Sequence, residues 1–93
     1  MILVQRRWYV LPENLPMFVD RWRKEIKQAI LQQPGCMRVG IFESSIRGHW
    51  VTSVLWTDAA SRLSAVAKLA SLYSEFGQYE RFEAEILTLH PEQ

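Results

Sequence analysis

"SVLWTDAASRL", residues 53–63, is a strand that runs directly into a helix. Val54, Leu55 and Trp56 close an apolar run. Thr57 and Asp58 are helix-capping residue types, and Ala59 and Ala60 open a segment of helical composition. The largest side chain in the alphabet therefore stands at the last strand position, where it either plugs a core or walls a pocket.

Working outward, the residues from His49 to Trp56 predict a strand, and the segment behind Asp58 predicts a helix to about Phe76 with a stop at Gly77. Residues 37–44 predict another strand. The short turn at 45–48 joins it to the His49 strand as an antiparallel hairpin. Farther upstream, Leu15, Phe18, Val19, Trp22, Ile26, Ala29 and Ile30 recur at spacings of three and four, the pattern of an amphipathic helix. Asn14 is its expected cap, and Pro34-Gly35 end it. Residues 2–11 read as the first strand, broken by Pro12. Residues 79–89 read as the last strand, although Glu80, Arg81, Glu83 and Glu85 make its start polar. The tail HPEQ is expected to be frayed.

The order is βαββαβ. With right-handed crossovers it makes an α+β, ferredoxin-like plait: a four-stranded antiparallel sheet with both helices on one face. At 93 residues, 48% apolar and 23% charged, residues 1–93 form a single globular domain. A net charge of +1 gives no footprint for nucleic acid or an acidic membrane. A lone cysteine, Cys36, excludes an internal disulfide and points to a reducing compartment. The run before Gln5 is too short for a signal-peptide core or a membrane span, so a cytoplasmic location is expected.

Side chains along a strand alternate between faces. In the first strand Ile2, Val4, Arg6, Trp8 and Val10 share one face, and Leu3, Gln5, Arg7, Tyr9 and Leu11 the other. In the third, Trp50, Thr52, Val54 and Trp56 oppose His49, Val51, Ser53 and Leu55. Both faces are largely apolar, yet two helices cover only one. A second copy of the sheet packed on the open face, a homodimer, is the expected remedy. Leu63, Val66, Leu69, Ala70, Leu72 and Tyr73 spread round most of the second helix and point the same way.

The segments "VQRRWYVLPENLPMFVDRW", "QPGCMRVGIFES" and "VTSVLWTDAASRL" carry a family resemblance. A Pro-terminated first strand, a Phe-x-x-x-Trp stripe, a Pro-Gly turn and a strand-end Trp resemble the antibiotic biosynthesis monooxygenase domains of the dimeric α+β barrel superfamily. The resemblance implies a pocket between helices and sheet. It also implies oxygenation of a small electron-rich aromatic, a quinol or polyketide-type phenol, without a cofactor. Trp56 matches the strand-end Trp that lines such pockets. Haem-degrading relatives use an Asn near the end of the first strand and a His late in the second helix. Arg6 takes the first position here and residues 59–76 contain no His, so no haem is expected.

Arg6 sits on an otherwise apolar strand face, so its guanidinium must find a carboxylate, with Glu43, Glu83 and Glu85 as candidates, or open onto a wet cavity. In the second case Arg6 and Trp56 are the catalytic candidates, with Trp8, Trp22, Trp50, Thr52 and Tyr73 as the substrate-binding set. No metal is expected, because Cys36 has no partner at ligand spacing. RNA-recognition domains share βαββαβ, but "RGHWVTSV" places Val51 and Val54 where stacking rings belong, so no nucleic-acid partner is expected. The alternative to catalysis is a ligand-binding or regulatory protein on the same scaffold.

Overall fold

The computed structural model describes residues 1–76 and 79–90. The expected helix stop at Gly77 and most of the expected frayed tail lie outside the described residues. The elements are β1 (Ile2–Tyr9), α1 (Leu15–Arg21), α2 (Lys27–Leu31), β2 (Cys36–Glu43), β3 (His49–Trp56), α3 (Ala59–Ser74), β4 (Glu80–Arg81) and β5 (Glu85–Thr88). β3 pairs with β2 on one side and β1 on the other, and β4 and β5 both pair with the free edge of β1, every pairing antiparallel. With β4 and β5 sharing one position, this is the four-stranded ferredoxin-like sheet. Among the described residues no helix is long and apolar enough to cross a membrane.

Three local departures from the sequence reading have physical causes. Asn14 holds the N-cap position of the first helix, but its side chain makes no capping hydrogen bond. Pro12 starts a 3₁₀ turn over Pro12–Asn14, whose first carbonyl, Leu11 O, accepts from Asn14 N–H at 2.9 Å. The first helix is also not uniform. Between α1 and α2 it widens into a π turn over Trp22–Ile26, closed by Lys27 N–H donating to Trp22 O. That turn keeps Trp22 and Ile26 both buried.

The third departure is the last strand. β4 pairs Arg81 with Trp8, whereas β5 pairs Glu85 with Gln5, so residues 82–84 stand opposite only Arg6 and Arg7. One extra residue makes this a β-bulge, which reverses the facing of everything after it. Arg81 shares the face of Trp8 before the bulge, and Ile86 shares the face of Val4 after it.

The core lies between the helices and the even-numbered positions of β1 and β3. Trp8, Val10, Val54 and Trp56 meet Phe18, Trp22, Ile26 and Ile30 from the first helix, with Ala65, Leu69 and Phe76 from the second. Trp8, Phe18, Phe76 and Tyr79 form an aromatic cluster with ring centroids 5.0–6.3 Å apart. Asp58 starts α3 as expected, its Oδ1 accepting from Ser61 N–H at 2.7 Å. That bond, with one from the Ser61 hydroxyl, holds the Asp58 carboxyl below its ordinary value. Leu63 and Val66 are exposed, so within one chain α3 does bury a single narrow stripe.

The opposite sheet face carries Leu3, Val51, Leu55 and Leu87, with Phe42 58% exposed. A shallow apolar depression of about 300 Å³ lies there between Met1, Leu3, Leu55, Leu87 and Leu89.

Candidate functional site

A cavity of about 320 Å³ opens between α3, the first helix and the helix-facing side of β1 and β3. Trp56, Trp8 and Trp22 border it, with little of each ring open to it, since they are 4%, 1% and 2% exposed. Trp56 comes from the end of β3, Trp8 from β1 and Trp22 from the start of the π turn. Trp56 is only 4% exposed, so most of the ring is packed and only a small part of it can border the cavity. The packed part lies in the core, beside Ile2 and Cys36 across the sheet.

Thr52 lies between two of these rings and fixes one of them. Its Oγ1 accepts a hydrogen bond from Trp8 Nε1 at 2.9 Å and donates one of 3.5 Å to Arg6 O. A buried indole N–H is thereby satisfied and the ring plane set. Trp50 is the exception among the residues named from sequence. It shares their sheet face and is half-buried, but it stands one pleat nearer the hairpin and is not part of the cavity wall.

Arg6 reaches the cavity and does not form the interior ion pair that its strand position also allowed. Its Nη1 donates to Phe82 O at 2.9 Å, and among the described residues no carboxylate lies within ion-pairing distance. The bulge makes that bond possible. Phe82 N–H donates to Arg7 O at 2.9 Å, which turns the Phe82 carbonyl toward Arg6. Arg7 lies on the open face, where its Nη1 donates to Ser44 Oγ at 3.3 Å.

Two further cations border the same cavity and were not singled out from the sequence. Arg62 comes from the first turn of α3 and Arg81 from β4 just before the bulge. Burial first, then the Arg81 and Arg62 charges, lower the pKa of Arg6 from its ordinary value. It nevertheless remains protonated at any physiological pH. Tyr73, on α3, also lines the cavity. Burial pushes its phenol up and outweighs the opposing pull of Arg6, Arg81 and Arg62, so it stays a neutral hydroxyl that can donate. No Asp, Glu, His or Cys lies in the cavity wall among the described residues. The described residues also contain no cluster of His, Cys, Asp and Glu that would hold a metal.

The site is thus a Trp-bordered cavity with a cationic rim, set between two helices and the end of a strand. The sequence profile of the antibiotic biosynthesis monooxygenase family matches residues 1–71, which span β1 through most of α3 and most of these lining residues. The chain belongs to this family. Solved structures agree on the fold. An antibiotic biosynthesis monooxygenase shares 20% identity at a TM-score of 0.76, with all of both chains covered. SnoaB, a cofactor-independent oxygenase from Streptomyces nogalater, shares 18% at 0.73, covering 98% of this chain and 94% of its own. Rv0793 from Mycobacterium tuberculosis shares 14% at 0.79, with coverages of 98% and 96%. At these identities the likeness is one of fold. No curated protein matches the sequence.

Proposed function

We propose that this family member oxygenates a small electron-rich aromatic, a phenol or quinol, within the Trp-bordered cavity, using the substrate's own electrons to reduce dioxygen. The observation that carries the reading is a largely apolar cavity bordered by three tryptophans together with an arginine, Arg6, that has no carboxylate partner among the described residues. At about 320 Å³ the cavity matches the smaller ligand pockets, which begin near ~300 Å³.

The reaction converts an activated ring position to a carbonyl. The substrate phenolate delivers electrons to dioxygen, a C–O bond forms at the ring carbon, and the O–O bond breaks with loss of water. A phenol plus dioxygen becomes a quinone plus water, one oxygen atom going to each product. No lining residue among those described serves as a strong base, and none is required if the substrate is already ionised. Positive charge beside a phenol stabilises its phenolate and lowers its pKa, which the arginine rim supplies. Tyr73 donates toward the substrate oxygen, and the walls exclude water from the developing peroxide. A binding protein on the same scaffold would hold the ring without consuming oxygen, so turnover is the discriminating readout.

Arg6→Met is expected to leave the melting temperature within a few degrees of the parent, because only one hydrogen bond of about 1 kcal/mol is lost and no buried carboxylate is stranded. It is expected to reduce turnover of anthrone or 1-naphthol, read as oxygen uptake, by about 10²-fold or more. Severe destabilisation with unchanged oxygen uptake would show that Arg6 is structural only.

The open sheet face supports a homodimer, since Phe42, Leu55 and Leu87 form an apolar surface that water-facing sheets of this size seldom carry. Sedimentation equilibrium at micromolar concentration is expected to give twice the chain mass of 10.9 kDa. A folded monomer would remove the two-sheet arrangement.

A further inference from the structure

The arginine rim is larger than a phenolate requires. Arg6, Arg62 and Arg81 come from three different elements, β1, α3 and β4, and border one cavity. A single phenolate oxygen is matched by one guanidinium and the Tyr73 hydroxyl. The other cations are brought in by two independent features of the fold. The bulge at 82–84 turns Arg81 onto the helix-facing side, and α3 places Arg62 on the stripe that also carries Val66 and Tyr73. Like charges gathered with no carboxylate among the described lining residues repel one another, and the lowered pKa of Arg6 has Arg81 and Arg62 among its causes. A ligand anion relieves that repulsion.

We infer that the cavity binds an aromatic acid, its carboxylate held at the Arg6, Arg62 and Arg81 rim and its ring lying in the apolar part of the cavity between the sheet and α3. This deepens the proposed oxygenation and rests on the same cavity being its site. A carboxylate fits planar guanidinium forks in pairs, and the apolar walls reject a free inorganic anion that brings no ring.

The test uses anaerobic binding, followed by tryptophan fluorescence, so that turnover plays no part. The probes are 1-hydroxy-2-naphthoate and its neutral isostere, 1-hydroxy-2-naphthamide, with inorganic phosphate as competitor. The naphthoate is expected to bind about ten- to a hundredfold more tightly than the amide, the range that charge-assisted hydrogen bonds provide. Arg62→Gln and Arg81→Gln are each expected to reduce naphthoate affinity several-fold, and together to erase the preference. Lys24→Gln removes the same charge where Lys24 pairs with Asp20 at 3.1 Å, outside the cavity wall, and is expected to leave the preference intact. Equal affinity for the two probes, no affinity for either, phosphate competing as well as the naphthoate, or a preference that survives the double variant would overturn the inference. Selective naphthoate binding without oxygen uptake would instead overturn the catalytic reading and leave the acid subsite standing.

Discussion

Trp56→Ala is expected to destabilise the fold by about 3 kcal/mol, near the lower end of what removal of a buried tryptophan costs. The lower end applies because a small part of the indole, 4% exposed in all, borders the cavity, so somewhat fewer packing contacts are lost than for a ring enclosed on all sides. For a domain of this size the change lowers Tm by at least ~12 °C. Trp56→Phe is expected to recover more than half of the loss while still weakening ligand binding, since a phenyl ring keeps the core side filled but draws back the cavity wall. Thermal melts of both variants, beside a fluorescence titration with 1-naphthol, separate these effects. A loss well above 5 kcal/mol for the alanine variant, with unchanged ligand affinity for the phenylalanine one, would make Trp56 a plug and nothing more.

Gly35→Ala is expected to cost about as much, roughly 3 kcal/mol, through a different mechanism. Gly35 has φ +87°, a region that L side chains enter at a cost. A methyl group there would overlap the Ser61 side chain and lie 2.9 Å from Thr57 Oγ1. The close approach has a purpose. Gly35 O accepts from Thr57 N–H at 2.9 Å and docks the turn before β2 against the start of α3, directly behind Trp56. A displaced turn therefore shifts both the first turn of α3, with Arg62, and the strand end. Gly40→Ala is the control. Its φ is not positive, and the atoms nearest its added methyl belong to side chains, the Phe42 ring at 3.1 Å and Ser53 Oγ at 3.4 Å, so the change is expected to cost less than ~1 kcal/mol. Urea unfolding of the two variants checks the contrast, and equal midpoints would contradict it.

The order of elements was legible because each carries its own period: three-and-four spacing for the first helix, alternation for β1 and β3, and Pro34-Gly35 and Thr57-Asp58 at the joints. Strand parity also placed Arg6, Trp8, Thr52 and Trp56 on one face, and three of them are buried together there with Arg6 beside them. Parity does not say how far along the strand a cavity extends, which is why Trp50 shares the face without reaching the wall.

The bulge was not legible. "YERFEAE" has no clean alternation, and an inserted residue leaves no mark in composition while it reverses every facing beyond it. Arg81 was missed for that reason. A signal for Arg62 did exist. It lies on the stripe of Val66, Leu69 and Tyr73 at helical spacing, but α3 is apolar over so much of its surface that the inward face could not be chosen from pattern alone. The π turn likewise leaves the apolar spacing of the first helix nearly unchanged, since Trp22 and Ile26 remain four apart.

The most direct test of the central claim follows the oxygen atoms. Purified protein, stripped of metals by chelation, is incubated with anthrone under ¹⁸O₂, and the product is examined by mass spectrometry against the spontaneous reaction. The account predicts anthraquinone carrying a single ¹⁸O atom, formed well above the background rate, with the excess lost in Arg6→Met and reduced in Trp56→Phe. Product formed only at the background rate, or at a rate indifferent to both substitutions, would contradict it.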